Sequence, residues 1–214
     1  LFAEFAASPP NFDGSFSEWP AAWQPLNTVV YDEGQFSGPA DLQGTVQAAW
    51  SEEGLLLAVR VNDDIYRPGP NGTDMWQGDG IEIHFDRDLS GDYDQWDANE
   101  DDYQIGVSFG PDLEQINGYR WLPYVEESSV ALVGAVRPLQ QDANYRGYNA
   151  ELLIPWSLFG AAGNDLGAGQ RFGFNVSLND NDSSGPSQQT TISMSPARTA
   201  HDNPTEWGTI VLLP

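Results

Sequence analysis

The stretch from Asp74 to Asp94, DMWQGDGIEIHFDRDLSGDYD, sets three kinds of chemistry side by side. Trp76 is a large apolar ring flanked by turn residues. Glu82 lies within Ile81-Glu82-Ile83-His84-Phe85, which alternates apolar and polar side chains as a half-buried strand does. Asp86, Asp88, Asp92 and Asp94 then follow around Gly91. An indole offers a flat apolar face, and a carboxylate accepts hydrogen bonds. Alternating oxygen ligands about a glycine turn are how proteins hold hard cations.

The spacing Asp86-x-Asp88-x-Ser90-Gly91-Asp92-x-Asp94 therefore predicts a calcium loop. It is not an EF-hand, because the closing bidentate glutamate and the flanking helices are missing. Calcium takes about six to eight oxygens, and Asp97, Glu100 or Asp101 could supply more of them. A bound cation would relieve the repulsion among so many carboxylates. A bare loop adapted to high salt is the alternative. NDD at 62–64 and NDND at 179–182 are further clusters of the same kind. Asp13, in an Asp-Gly turn, reads as structural.

Such residues need a scaffold, and the pattern around them is that of strands. TVQAAWSEEGLLLAVRVNDD reads as a hairpin, with Val46, Ala48 and Trp50 alternating before a turn at Ser51–Gly54. GIEIHFD, YQIGVSF, SSVALVGAV, YNAELLIP, RFGFNVSLND, TTISMS and GTIVLLP follow as further strands. No stretch keeps a helical period, although Pro155 and Gly160 could bound one helical turn in PWSLFGAAG. The expected fold is all-β, an antiparallel sandwich or jelly roll of about nine or ten strands. Residues 1–214 are expected to form one domain. The acidic connection at 86–102 is the longest, and long loops in compact domains tend to be functional.

Composition narrows the partners. The 214 residues carry 32 acidic side chains against eight arginines and no lysine, a formal net charge of −24. Nucleic acid and anionic membranes would be repelled, whereas neutral ligands and divalent cations would not. There is no cysteine, hence no disulfide and no thiolate metal site. No apolar run reaches the roughly 18 residues of a membrane span. Eight tryptophans, eight tyrosines and ten phenylalanines can build a sizeable core. An acidic, cysteine-free, tryptophan-rich chain reads as bacterial and extracellular, and its start at Leu1 suggests a mature protein or an excised domain.

Six segments, in order, resemble one family. PPNFDGSFSEWP is similar to the IDG…EW opening of family 9 carbohydrate-binding modules. AAWSEEGLLLAVRVNDD resembles their tryptophan-led hairpin ending in V-x-D. MWQGDGIEIHFD fits W-x-x-D-x-x-E-x-x-x-D, with Trp76, Asp79, Glu82 and Asp86 in register. GYNAELLIPWSLFG resembles Y-x-x-E-x-x-I-P-W, FGFNVSLNDND resembles G-F-N-x-x-x-N-D, and DNPTEWGTIVLLP resembles D-P-x-x-F-G-x-L-x-L.

The resemblance implies a non-catalytic β-sandwich with structural calcium that binds glucan or xylan, often at the reducing end. Such a module usually accompanies a polysaccharide-degrading enzyme on the same polypeptide. It also implies that Trp76 stacks on the C–H face of a sugar and that Glu82 accepts hydrogen bonds from hydroxyls. The sequence departs from the family at the second aromatic wall, where His201 stands in place of a tryptophan, flanked by Arg198 and Asp202. On the strand DYQIGVSFG, Gly106 and Ser108 replace a large basic residue and an amide, and Gln104 shares their face by alternation. The candidate ligand-binding set is therefore Trp76, Glu82, Gln104, Ser108, Arg198, His201 and Asp202.

Three other readings use the same residues. Sandwiches of this type also carry b-type haem on Met and His, and Met75 with His201 would be such a pair. A calcium-stabilised adhesion domain would bury Trp76. A glycosidase needs two suitably spaced carboxylates, but no serine triad, P-loop or dinucleotide fingerprint is present.

Overall fold

The computed structural model describes every residue except 20–21, 92, 125–127, 140–144 and 198–201. The strands, in chain order, are β1 (Phe2–Phe5), β2 (Gln24–Leu26), β3 (Thr28–Tyr31), β4 (Leu42–Trp50) and β5 (Gly54–Asp63). They continue with β6 (Gly80–Asp86), β7 (Asp102–Phe109), β8 (Ile116–Leu122), β9 (Ser129–Val130) and β10 (Val133–Pro138). The last four are β11 (Tyr148–Pro155), β12 (Arg171–Asp180), β13 (Thr190–Ser193) and β14 (Gly208–Leu212). Helical structure among the described residues is confined to 3-10 turns of three or four residues.

The all-β expectation holds, but the strand count is higher than nine or ten. β1, β2 and β3 are only three or four residues long, too short to show an alternation. SSVALVGAV breaks into β9 and β10. In β8 every residue is half-buried, so neither face reads as apolar. The helical turn between Pro155 and Gly160 is present at Trp156–Phe159, and Gly160 closes it with a φ of 63°.

All the strands join one hydrogen-bonded sheet, in the order β10-β11-β5-β4-β1-β14-β12-β6-β7-β8-β9, with β2, β3 and β13 branching from it. The sheet is curled so that its halves face each other across a shared core. Leu55, Leu57, Val59, Leu152 and Ile154 come from one half, and Ile81, Ile83, Phe85, Val176 and Leu178 from the other. Fully burying each such side chain contributes about 1.5–3 kcal/mol. Pairing is antiparallel except at β1, which runs parallel to both β4 and β14 and so joins the two halves.

A polar clamp fixes the N-terminal segment to β11. Glu151 is completely buried, and its carboxylate accepts hydrogen bonds from Asp13 N, Gly14 N and Trp19 Nε1 at 2.9, 2.6 and 2.7 Å. Gly14 has a φ of 73°, and a Cβ there would meet Arg137 Cβ at 2.3 Å. The Asp13-Gly14 turn is thus structural, as its residue types suggest.

Candidate functional site

β6 pairs with β12 on one side and β7 on the other, which sets Glu82 opposite Ser177 and Gly106, and His84 opposite Asn175 and Gln104. With Ile81, Ile83 and Phe85 turned to the core, Glu82, His84 and Asp86 face outward. All seven residues of β6 are nevertheless buried, so the half-buried expectation for this strand fails. Trp207 packs against the His84 ring at 5.3 Å. Trp121 lies over Gly106, where an added Cβ would meet its ring at 2.4 Å.

A cavity of about 480 Å³ opens on this face. Trp76 and Trp121 line it with Tyr31, and its polar lining includes Glu82, Gln104, Asn179, Gln188 and Thr191. Trp76 sits on a 3-10 turn at Met75–Gln77 and is 39% exposed, so it is not a core residue. Trp121 Nε1 donates to Thr73 O at 3.0 Å, fixing that ring beside the same turn.

The polar lining is held in place. Asn179 Nδ2 donates to Glu82 Oε1 at 2.6 Å and Gln104 Nε2 to Oε2 at 3.2 Å. Gln188 Nε2 and Thr191 Oγ1 both donate to Asn179 Oδ1, at 3.1 and 2.8 Å. Beneath them Asn175, Ser177 and Ser193 form a buried ring of hydrogen bonds. An aromatic wall beside a fixed set of acceptors and donors suits a ligand with apolar C–H faces and a polar rim.

Of the predicted ligand residues, the structure brings Trp76, Glu82 and Gln104 to the cavity. Ser108 is buried on β7 and is not among the lining residues. Asp202 is exposed at the surface. Arg198 and His201 lie outside the described residues. Sequence reasoning missed Trp121, Asn179, Gln188 and Thr191. Asn179 stood in a segment read as a strand and weighed for cations but not for a ligand role, and Trp121 lies on the strand without alternation.

The sequence profile of the carbohydrate family 9 binding domain-like family matches residues 12–213. The chain belongs to this family. Its members are non-catalytic carbohydrate-binding domains. No curated protein matches the chain. Among solved structures, a family 9 module from Caldicellulosiruptor kristjanssonii in complex with cellotriose superposes with a TM-score of 0.70 at 18% identity, covering 100% of this chain and 93% of that one. A family 9 module from the same organism in complex with glucose gives 0.66 at 16% identity, covering 99% and 95%. At these identities the likeness establishes the fold of the module.

The acidic loop of the module is placed differently from its expected gathering. Asp86 is buried at the end of β6, whereas Asp88 and Asp94 are exposed, and Asp92 lies outside the described residues. Asp88 N donates to Asp101, and Asp88 accepts from Ser90 Oγ. Among the described residues, no three carboxylates of this loop converge closely enough to hold an ion. Two triads elsewhere do: Asp41, Asp180 and Asp182, and Asp63, Asp64 and Asp182, each with oxygens within 4.8 Å of one another.

Proposed function

We propose that the module binds a neutral β-linked glucan or xylan oligosaccharide in the cavity at Trp76, without cleaving it. The observation that carries this reading is an exposed indole beside a buried, hydrogen-bonded glutamate on one cavity wall. The cellotriose and glucose complexes of the two similar modules support a glucan as ligand. The polar lining suits sugar hydroxyls better than it suits the broad apolar face of a haem. As a family member, the module is read as an extracellular, bacterial accessory domain of a polysaccharide-degrading enzyme, with a structural calcium ion.

Stacking on Trp76 contributes on the order of 1–2 kcal/mol. Calorimetry with cellotriose and xylo-oligosaccharides should therefore show Trp76→Ala binding about tenfold more weakly, with an unchanged melting temperature because the ring is largely outside the core. Wild-type protein that binds neither sugar at millimolar concentration, or a variant that binds as tightly as wild type, would overturn the reading.

Trp121 is the second aromatic surface of the cavity in this reading, in the space that Gly106 leaves free. Trp121→Ala is expected to weaken the same ligand severalfold, whereas Trp121→Phe should retain most of the affinity. Equal affinities for all three proteins would remove Trp121 from the site.

A further inference from the structure

Four polar side chains of the cavity form a row that crosses the sheet, one from each of four neighbouring strands. Gln104 stands on β7, Glu82 on β6, Asn179 on β12 and Thr191 on β13, and these strands are paired in that order. Gln104 Nε2 and Asn179 Nδ2 donate to the two oxygens of Glu82, and Thr191 Oγ1 donates to Asn179 Oδ1. Each link joins one strand to the next, which fixes the direction of the row.

An aromatic ring stands beyond each end. Trp121 comes from β8, which pairs with β7, and its ring lies over Gly106. A Cβ added at Gly106 would also meet Met75 Sδ at 3.2 Å, so the turn that carries Trp76 lies at this same end. Tyr31 marks the other end. It comes from β3, which pairs with β13, and it stands directly opposite Thr191. Residues directly opposite on paired strands share a face of the sheet, which turns Tyr31 to the cavity that it lines. At 47% exposure Tyr31 is not a core residue.

The strands β8, β7, β6, β12, β13 and β3 thus contribute in order to one strip of surface. With a gap of about 4.8 Å between neighbours, the ends of the strip lie on the order of 20 Å apart along the curved sheet. A pyranose in an extended β-linked chain advances it by about one such gap. One or two sugars held at Trp76 and Glu82 therefore stop short of Tyr31.

We propose that the cavity is a groove for an extended β-linked chain of about four sugars laid across the strands, with Tyr31 as the stacking platform at the end away from Trp121. This deepens the sugar-binding reading and rests on it. A chain of this kind repeats its apolar C–H faces along its length, with hydroxyls at their edges. Rings at both ends of the strip meet the faces, and the row of amides, carboxylate and hydroxyl meets the edges. Affinity is then set by chain length as well as by the kind of sugar.

The test is calorimetry with cello- and xylo-oligosaccharides of increasing length, from disaccharide to pentasaccharide. Affinity should rise about tenfold from the disaccharide to the tetrasaccharide and level off beyond it. Tyr31→Ala should lower the ratio of tetrasaccharide to disaccharide affinity about fivefold, whereas Tyr31→Phe keeps the stacking face and should keep the ratio. Each ratio is taken within one protein, so a change in stability does not alter it. A disaccharide that binds wild type as tightly as the tetrasaccharide would overturn the groove and leave the sugar reading standing. A gain with length that survives in full in Tyr31→Ala would do the same. Wild type that binds no member of either series would overturn the sugar reading, and the groove with it.

Discussion

Glu151→Ala is expected to destabilise the protein by on the order of 3–5 kcal/mol, among the largest effects of any single substitution. The carboxylate is fully buried and satisfies three N–H donors, two from the Asp13-Gly14 turn and one from Trp19. Removing it leaves those donors without an acceptor and opens a cavity beneath the N-terminal segment. The expected drop in melting temperature is roughly 10 °C. Glu151→Gln should cost less, because its carbonyl oxygen can keep the two backbone donors while its amide faces the Trp19 N–H. A melting temperature for Glu151→Ala within a degree of wild type would show that the clamp contributes nothing net.

Protein freed of divalent cations should become less stable as pH rises. Burial, helped by neighbouring negative charge, pushes Asp63 up to about 7 and Asp180 up to about 8 from an ordinary value of 3.8. Asp79 is also pushed upward, by burial and then by Asp63. Between 3.8 and about 8 the folded protein thus binds more protons than the unfolded chain. Stability falls with pH wherever the folded state binds the excess. The contribution is fully present below the ordinary carboxylate value and is lost as pH passes the folded values. Melting curves in chelator should shift down by several degrees across that window, and saturating Ca²⁺ should flatten or reverse the slope. A melting temperature that holds or rises with pH in chelator would mean that these carboxylates ionise without cost.

Much of the sheet was legible because it announces itself locally. β4 through β7, β11, β12 and β14 carry enough consecutive residues for alternation or bounding turns to show, and the four residues of β13 show through their β-branched Thr-Thr-Ile run. β1, β2, β3 and β9 do not, since two to four residues hold no period. The resemblance to family 9 marked Glu151 within a recognisable segment, but its partners lie more than a hundred residues away in sequence. No local pattern could reveal that they meet.

The cation reading shows the same divide. In the loop after β6, close sequence spacing of aspartates suggested convergence, yet Asp88 and Asp94 point to solvent on an open connection. The convergent carboxylates come instead from the NDD and NDND segments together with Asp41, three positions that only strand pairing and the curl of the sheet bring to one end. By itself the sequence determined an all-β scaffold, a negative charge that turns away polyanions, and an indole just ahead of the strand that carries a glutamate. Those properties are set by residue type and by spacings of a few residues. The tertiary structure decided that Trp121 covers Gly106, that Asn179 and Gln104 fix Glu82, and that five aspartates from two sheet halves share one place. Each of these depends on register across strands, which long-range packing sets and which no run of adjacent residues records.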